Sequence, residues 1–197
     1  MNSELLSLYQ ADRREHSSGF KQGSRPYLDM RERDRRRRQR VSEIIAADET
    51  TAPEDYYHAA WIFNHGDTPE DAWQGHTLAR EAAALGYRPA RWLTAATYDR
   101  WLMYQGKPQH YGTQYVTDGK RHRLWDVVSS TTDAERAEWD VPPLAEQLRK
   151  AEEATRRDPP GPIGEDAPAW LKEALKRWHA EEAAQDAPLG ELRRNAV

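Results

Sequence analysis

The chain of 197 residues contains no cysteine. That absence excludes disulfides, thiolate catalysis, zinc fingers and iron–sulfur clusters in one step. It also fits an intracellular protein. The N-terminus lacks the apolar core of a signal peptide, and no stretch approaches the length of a transmembrane helix. A soluble cytoplasmic protein is therefore expected. No serine stands between Ser42 and Ser129, so the central block has no serine nucleophile. Neither a GxSxG elbow, a phosphate-binding loop nor a dinucleotide fingerprint occurs. Charge of one sign is also lacking. The net charge of −4 and a pI of about 6.0 give no pull toward nucleic acid or membrane.

What is present is aromatic. Mean hydropathy is low, at −1.03, yet the chain carries 8 Trp and 9 Tyr. A disordered chain would be poor in such residues. A small aromatic-rich core with very polar surfaces and tails is expected. The abundance of alanine and arginine points to a high-GC bacterial source.

Residues 1–16 predict a short helix with Leu5, Leu6 and Tyr9 on its apolar side. "HSSGFKQGSRP" (16–26) reads as a flexible link. Residues 27–48 predict a helix ending in the stripe Val41, Ile44, Ile45. The run Arg35–Arg38 is the one feature favouring nucleic acid. Over residues 1–50, nine acids offset eleven bases, so it reads as a solvated face paired with Glu32, Asp34 and Glu43.

The central block is the best organised. Pro53, Glu54 and Asp55 start a helix that Gly66 ends as the C′ residue. Thr68-Pro69-Glu70-Asp71 starts the next, with Thr as N-cap and Pro at N1. Gly86 stops it. Pro89 opens a third helix, which ends at Gly106. Helices joined by such short loops pack as antiparallel neighbours. Ala59, Ala60, Ala72, Ala79, Ala83, Ala95 and Ala96 permit close approach. Beyond Pro108 a hairpin over 111–128 is expected, on the two-residue turn signal Asp118-Gly119. A helix from Thr131 to about Lys150, interrupted near Pro142-Pro143, follows it. The fold class is mainly α: a compact bundle of antiparallel helices with one small β-hairpin. The expected segments are a helix and link (1–26), a core domain (27–150), a proline-rich linker (151–168) and a C-terminal amphipathic helix with its tail (169–197).

His58 and His65 lie seven apart and share a helix face. Asp99 aligns with Trp92, Ala95, Ala96 and Met103, so a carboxylate faces the core, where it is costly unless paired. These residues suggest a polar pocket. His58 and His65 would move protons, with Asp99 orienting one of them. Arg100, Gln109 and Gln114 would hold a polar ligand, and Trp61, Tyr98 and Tyr111 would line its walls. The bland reading is that the same groups are satisfied core polar residues. An i,i+7 histidine pair sits about 10 Å apart along a helix, too far to chelate one ion. No metal and no cofactor is expected.

"DYYHAAWIFNHG", "DRWLMYQGKPQHYGTQ" (Asp99–Gln114) and "WDVPPL" together resemble a bacterial family of unknown function, domain of unknown function 6624, over roughly 30–150. The resemblance implies that His58, His65, Asp99, Arg100, Gln109 and Gln114 stand at motif positions. Some members occur near biosynthetic genes, which implies a small tailoring enzyme. Two functions are expected. The first is an acid–base hydrolase, lyase or cyclase acting on a small molecule or modified peptide. The second is a non-catalytic helical binding protein whose polar cluster is structural. No nucleic-acid or membrane partner is expected, and a homodimer stays open.

Overall fold

The computed structural model describes residues 1–21 and 23–186. The end of the expected 169–197 segment lies outside the described residues. Eight helices and one two-stranded antiparallel hairpin are seen among them. No helix among the described residues is long and apolar enough to cross a membrane.

Helices α3 (Pro53–Asn64), α4 (Pro69–Ala84) and α5 (Ala90–Tyr104) form the centre. Their ends follow the local chemistry. Thr68 Oγ1 accepts the Asp71 N–H at 3.1 Å, with Pro69 in the first turn. Gly86 and Gly106 take the positive φ that ends α4 and α5. Gly75 lies where the three helices meet. A Cβ there would stand 3.2 Å from the Ala60 carbonyl oxygen and 3.2 Å from the Thr97 methyl. Gly66 differs from its expected role. Its φ is not positive, and the glycine is needed because a Cβ would fall on the Asp71 side chain.

Helix α1 (Ser3–His16) is not set apart by the link that follows it. It runs parallel to α3. The Asn2 N–H donates to Asp55 Oδ1 at 2.6 Å, the Tyr9 ring stacks on His58 at 4.5 Å, and His16 stacks on His65 at 3.7 Å. The seven-residue step between the two histidines is matched by the same step on α1. Leu5 is fully buried in one core with Val41, Ile44, Tyr57, Ile62 and Leu93. Helix α2 (Arg25–Ala46) runs back alongside α1, tied by Arg40 Nε to Glu4 at 2.6 Å and by His16 to Asp34 at 3.1 Å.

The arginine run is not one solvated face. Arg35 and Arg36 are exposed and pair with Glu32. Arg37 and Arg38 are buried, on Asp34 and Glu15 and on Asp67 and Asp71. Successive helical residues point about 100° apart, so four in a row cannot share a surface.

The hairpin pairs β1 (Tyr115–Thr117) with β2 (His122–Leu124), in register Tyr115↔Leu124 and Thr117↔His122. The Asp118 N–H donates to the Arg121 carbonyl at 3.1 Å, so the two-residue turn is Gly119-Lys120, one residue on from the expected pair. The buried Asp118 carboxylate accepts the Lys120 and Arg121 N–H groups at 2.9 and 2.8 Å, which fixes that turn. The short α6 (Asp133–Glu138) and α7 (Leu144–Arg157) flank Pro142-Pro143. Helix α7 lies under the hairpin, where Thr155 Oγ1 accepts the His122 N–H at 2.8 Å. Helix α8 (Ala169–Asp186) docks on the molecule. Leu171, Ala174 and Trp178 pack with Met103 and Trp125 in a second buried cluster.

Candidate functional site

The 106–114 loop leaves α5 and is fastened to it by Asp99, which is fully buried. Asp99 Oδ1 accepts the His110 and Tyr111 N–H groups at 2.7 and 2.9 Å. Its Oδ2 accepts from the Thr113 N–H and hydroxyl at 3.0 and 2.8 Å. Burial pushes the carboxyl up, and these donors pull it back. Gln109 is fully buried as well. Its Nε2 donates to the Gln114 and Trp125 carbonyls at 3.0 and 2.8 Å, while its Oε1 accepts the Gln114 N–H at 2.8 Å. Gln114 Nε2 donates to the Ala96 carbonyl at 2.9 Å. Buried Arg136 clamps the outside through Tyr111 O at 2.9 Å and Thr131 O at 2.9 Å. The hydrogen-bonding capacity of Asp99, Gln109 and Gln114 is thus turned onto the backbone of α5, the loop and Trp125, and onto the Thr113 hydroxyl.

What the fastened loop presents outward is rings. His110 and Tyr111 are set 4.9 Å apart, each about 6.3–6.4 Å from Tyr98. Tyr98 leads to Trp101 at 5.7 Å and to His76 at 5.3 Å, and Trp73 joins Trp101 at 4.8 Å. Trp139 extends the row from Tyr111 at 6.4 Å. Trp73 is 43 % exposed, and Tyr98, Trp101, His110, Tyr111 and Trp139 are each half-buried. Lys107 Nζ stands 5.6 Å over Trp101. Beside Trp139 a groove of about 600 Å³ opens between α4 and α6, lined by Thr77, Arg80, Glu81 and Arg91.

A second polar cluster sits where α1, α2 and the end of α3 converge. His65 caps α3. Its Nδ1 is 2.8 Å from Asp12 Oδ2, and its ring stacks on His16. His16 Nε2 lies 3.1 Å from Asp34 Oδ2 and 3.7 Å from Asp12 Oδ1. Asp34 is held by Arg31 and Arg37 at 2.7 and 2.8 Å. Burial alone would raise its carboxyl, but His16, Arg31 and Arg37 hold it below the usual range. Burial lowers the His65 imidazole, partly offset by Asp12 and reinforced by His16 and Arg100. Asp12 Oδ1 is buried and has no hydrogen-bond partner among the described residues. Among the described residues, Asp12, His16 and His65 form the one group of three histidine or acidic side chains whose donor atoms lie within 4.8 Å of one another.

The expected site residues therefore fall in separate places. Asp99, Gln109 and Gln114 come together beneath Tyr98 and Tyr111. Asp99 orients neither histidine; Asp12 is the carboxylate on His65. Arg100 turns away from Asp99 toward the His65 side, with Nη1 3.4 Å from the Tyr104 hydroxyl, which donates to Gly66 O at 2.9 Å. Trp61 lies there too, its ring under Arg13 at 5.0 Å and edge-on to His65 at 5.9 Å. His58 is buried on Tyr9, and burial lowers its imidazole against the pull of Asp55 and Glu54.

Two sets of residues escaped the spacing arguments. Asp12 and His16 stand i,i+4 on one helix, a spacing that places both on one face. Trp73 and Trp101 carried no signal beyond being tryptophans on helices. No family model, curated protein or solved structure matches the chain, so the likeness to the family of unknown function rests on its residues alone.

Proposed function

We propose that the chain is a binding module. Its ligand is a small molecule or peptide carrying a flat apolar or aromatic ring, taken up on the Trp73–Tyr98–Trp101–His110–Tyr111 face. One observation carries this reading. The Asp99–Gln114 motif spends its polar side chains on holding a loop rigid, and the loop's outward products are two rings set against Tyr98. Rigid, amphipathic rings give contact area at small entropic cost, and each stacking contact contributes about 1–3 kcal/mol. Acid–base catalysis by Asp99 with Gln109 and Gln114 has less support, because a group that accepts four hydrogen bonds from its own chain has little left for a substrate.

The test is titration of the full chain with nucleosides, oligosaccharides and proline-rich or aromatic peptides, followed by tryptophan fluorescence. At least one class is expected to give a saturable change that Trp101→Ala and Tyr98→Ala abolish and His58→Phe leaves in place. Absence of any saturable change, or one that survives both ring deletions, overturns the reading.

A further inference from the structure

The cluster at the junction of α1, α2 and α3 is chemically unlike the Asp99 cluster. Its central carboxylate, Asp12, is completely buried. An isolated buried carboxylate is costly and calls for a cation. Arginines satisfy the neighbouring Asp34 through both oxygens, and Glu15 takes Arg33 and Arg37. None of these guanidinium groups is hydrogen-bonded to Asp12. Among the described residues, its only close side-chain partners are two imidazole nitrogens, at 2.8 Å on one oxygen and 3.7 Å on the other.

From this arrangement we infer that Asp12, His16 and His65 form a binding site for a divalent transition-metal ion such as zinc. The donor set is two imidazoles and one carboxylate, which suits zinc, iron(II) or cobalt(II) and disfavours calcium or magnesium, which take oxygen ligands. The donor atoms lie within 4.8 Å of one another, close enough for one ion once the stacked His16 and His65 rings turn their nitrogens toward a shared centre. Asp12 Oδ1, buried and without a hydrogen bond, is aimed toward His16 and supplies an unused lone pair. Asp34 is not a ligand, because Arg31 and Arg37 occupy it. Its Oδ2 lies 3.1 Å from His16 Nε2, the same nitrogen that faces Asp12 Oδ1, so Nε2 takes the ion by giving up its contact to Asp34. The ion has a way in, since His16 and His65 are 23 % and 16 % exposed. Three protein donors leave at least one position to water, the pattern of a reactive site and not of a closed structural one.

The site is distinct from the aromatic face, so the two proposals stand or fall separately. The test uses the full chain stripped with a chelator, then titrated with zinc sulfate by calorimetry and with cobalt(II) by visible absorption. One ion per chain is expected, with a rise in melting temperature and a cobalt spectrum of nitrogen and oxygen ligation. His16→Ala and Asp12→Asn are each expected to weaken zinc by about a hundredfold or more, while His179→Ala, on an exposed face of α8, changes nothing. His16 is half-buried at the end of α1, so its variant keeps the fold, which circular dichroism checks. Failure of the unmodified chain to bind zinc or cobalt at one per chain overturns the inference. So does binding that both ligand variants leave unchanged.

Discussion

Asp99 and Asp12 are both completely buried, and both lie on helices of the bundle. Around Asp99 every oxygen is met, by backbone N–H groups and a hydroxyl from one short loop. Around Asp12 one oxygen meets an imidazole and the other meets nothing within hydrogen-bond distance. The first carboxylate is a fastener, and its chemistry is exhausted by the fold. The second retains capacity, and it retains it beside two titratable rings that reach solvent. Burial alone does not separate structural from functional carboxylates. Whether the lone pairs are already spent does.

The largest effect is expected from Asp99→Ala. Three backbone N–H groups and the Thr113 hydroxyl would lose their acceptor in a dry place, at a cost of about 3–5 kcal/mol in urea unfolding. Asp99→Asn is not a rescue, because its amide NH₂ would face N–H donors. Gln109→Leu comes next, at about 2–3 kcal/mol, since it orphans the Gln114 N–H and two carbonyls. Both variants should also blunt any ligand response of the aromatic face, because the loop carrying His110 and Tyr111 is no longer fixed. If Asp99→Ala unfolds at the wild-type midpoint, the fastener account fails.

How much of this contrast could be read in the sequence depends on the range of the interactions. The three central helices and their ends were legible, because Thr68, Pro69, Gly86 and Gly106 act within one turn of themselves. The Asp99–Gln114 stretch was legible as a junction, since it shares one short segment. The direction of its side chains was not: whether Gln109 faces a ligand or the Trp125 carbonyl is decided by the segment just after β2, 16 residues away. The Asp12 cluster was hidden further still. Asp12 and His65 are 53 residues apart, and the parallel docking of α1 on α3 rests on stacked rings that no periodicity announces. Even so, the i,i+4 pair of Asp12 and His16 stood in plain view.

A smaller effect concerns pH and separates His58 from both carboxylates. His58 is buried on Tyr9 and its imidazole is lowered by burial. The unfolded chain takes up that proton near pH 6.5, and the folded chain does so only at lower pH. Stability is therefore full above the unfolded value and is lost as the pH falls below it. Unfolding midpoints at pH 7.5 and 5.5 should differ less in His58→Phe than in the wild type. The remaining difference comes from the other lowered histidines, His65 and His76. An unchanged difference would mean that His58 takes up its proton at the same pH in the fold as in the unfolded chain.

The smallest stability change is expected from Asp12→Asn, and it sharpens the comparison most. The remaining oxygen still accepts from His65, and the new amide NH₂ takes the place of Oδ1, which had no partner to lose. The cost should stay below about 1 kcal/mol, well under that of Asp99→Asn, because no existing donor loses its acceptor and the removal of a buried charge offsets the new NH₂. The same substitution removes the negative charge that a cation requires. Two numbers from one variant then decide the matter. A near-wild-type midpoint with zinc binding lost marks Asp12 as a group kept for a ligand. A loss of stability as large as that at Asp99 would make it a second fastener and erase the difference between the two clusters.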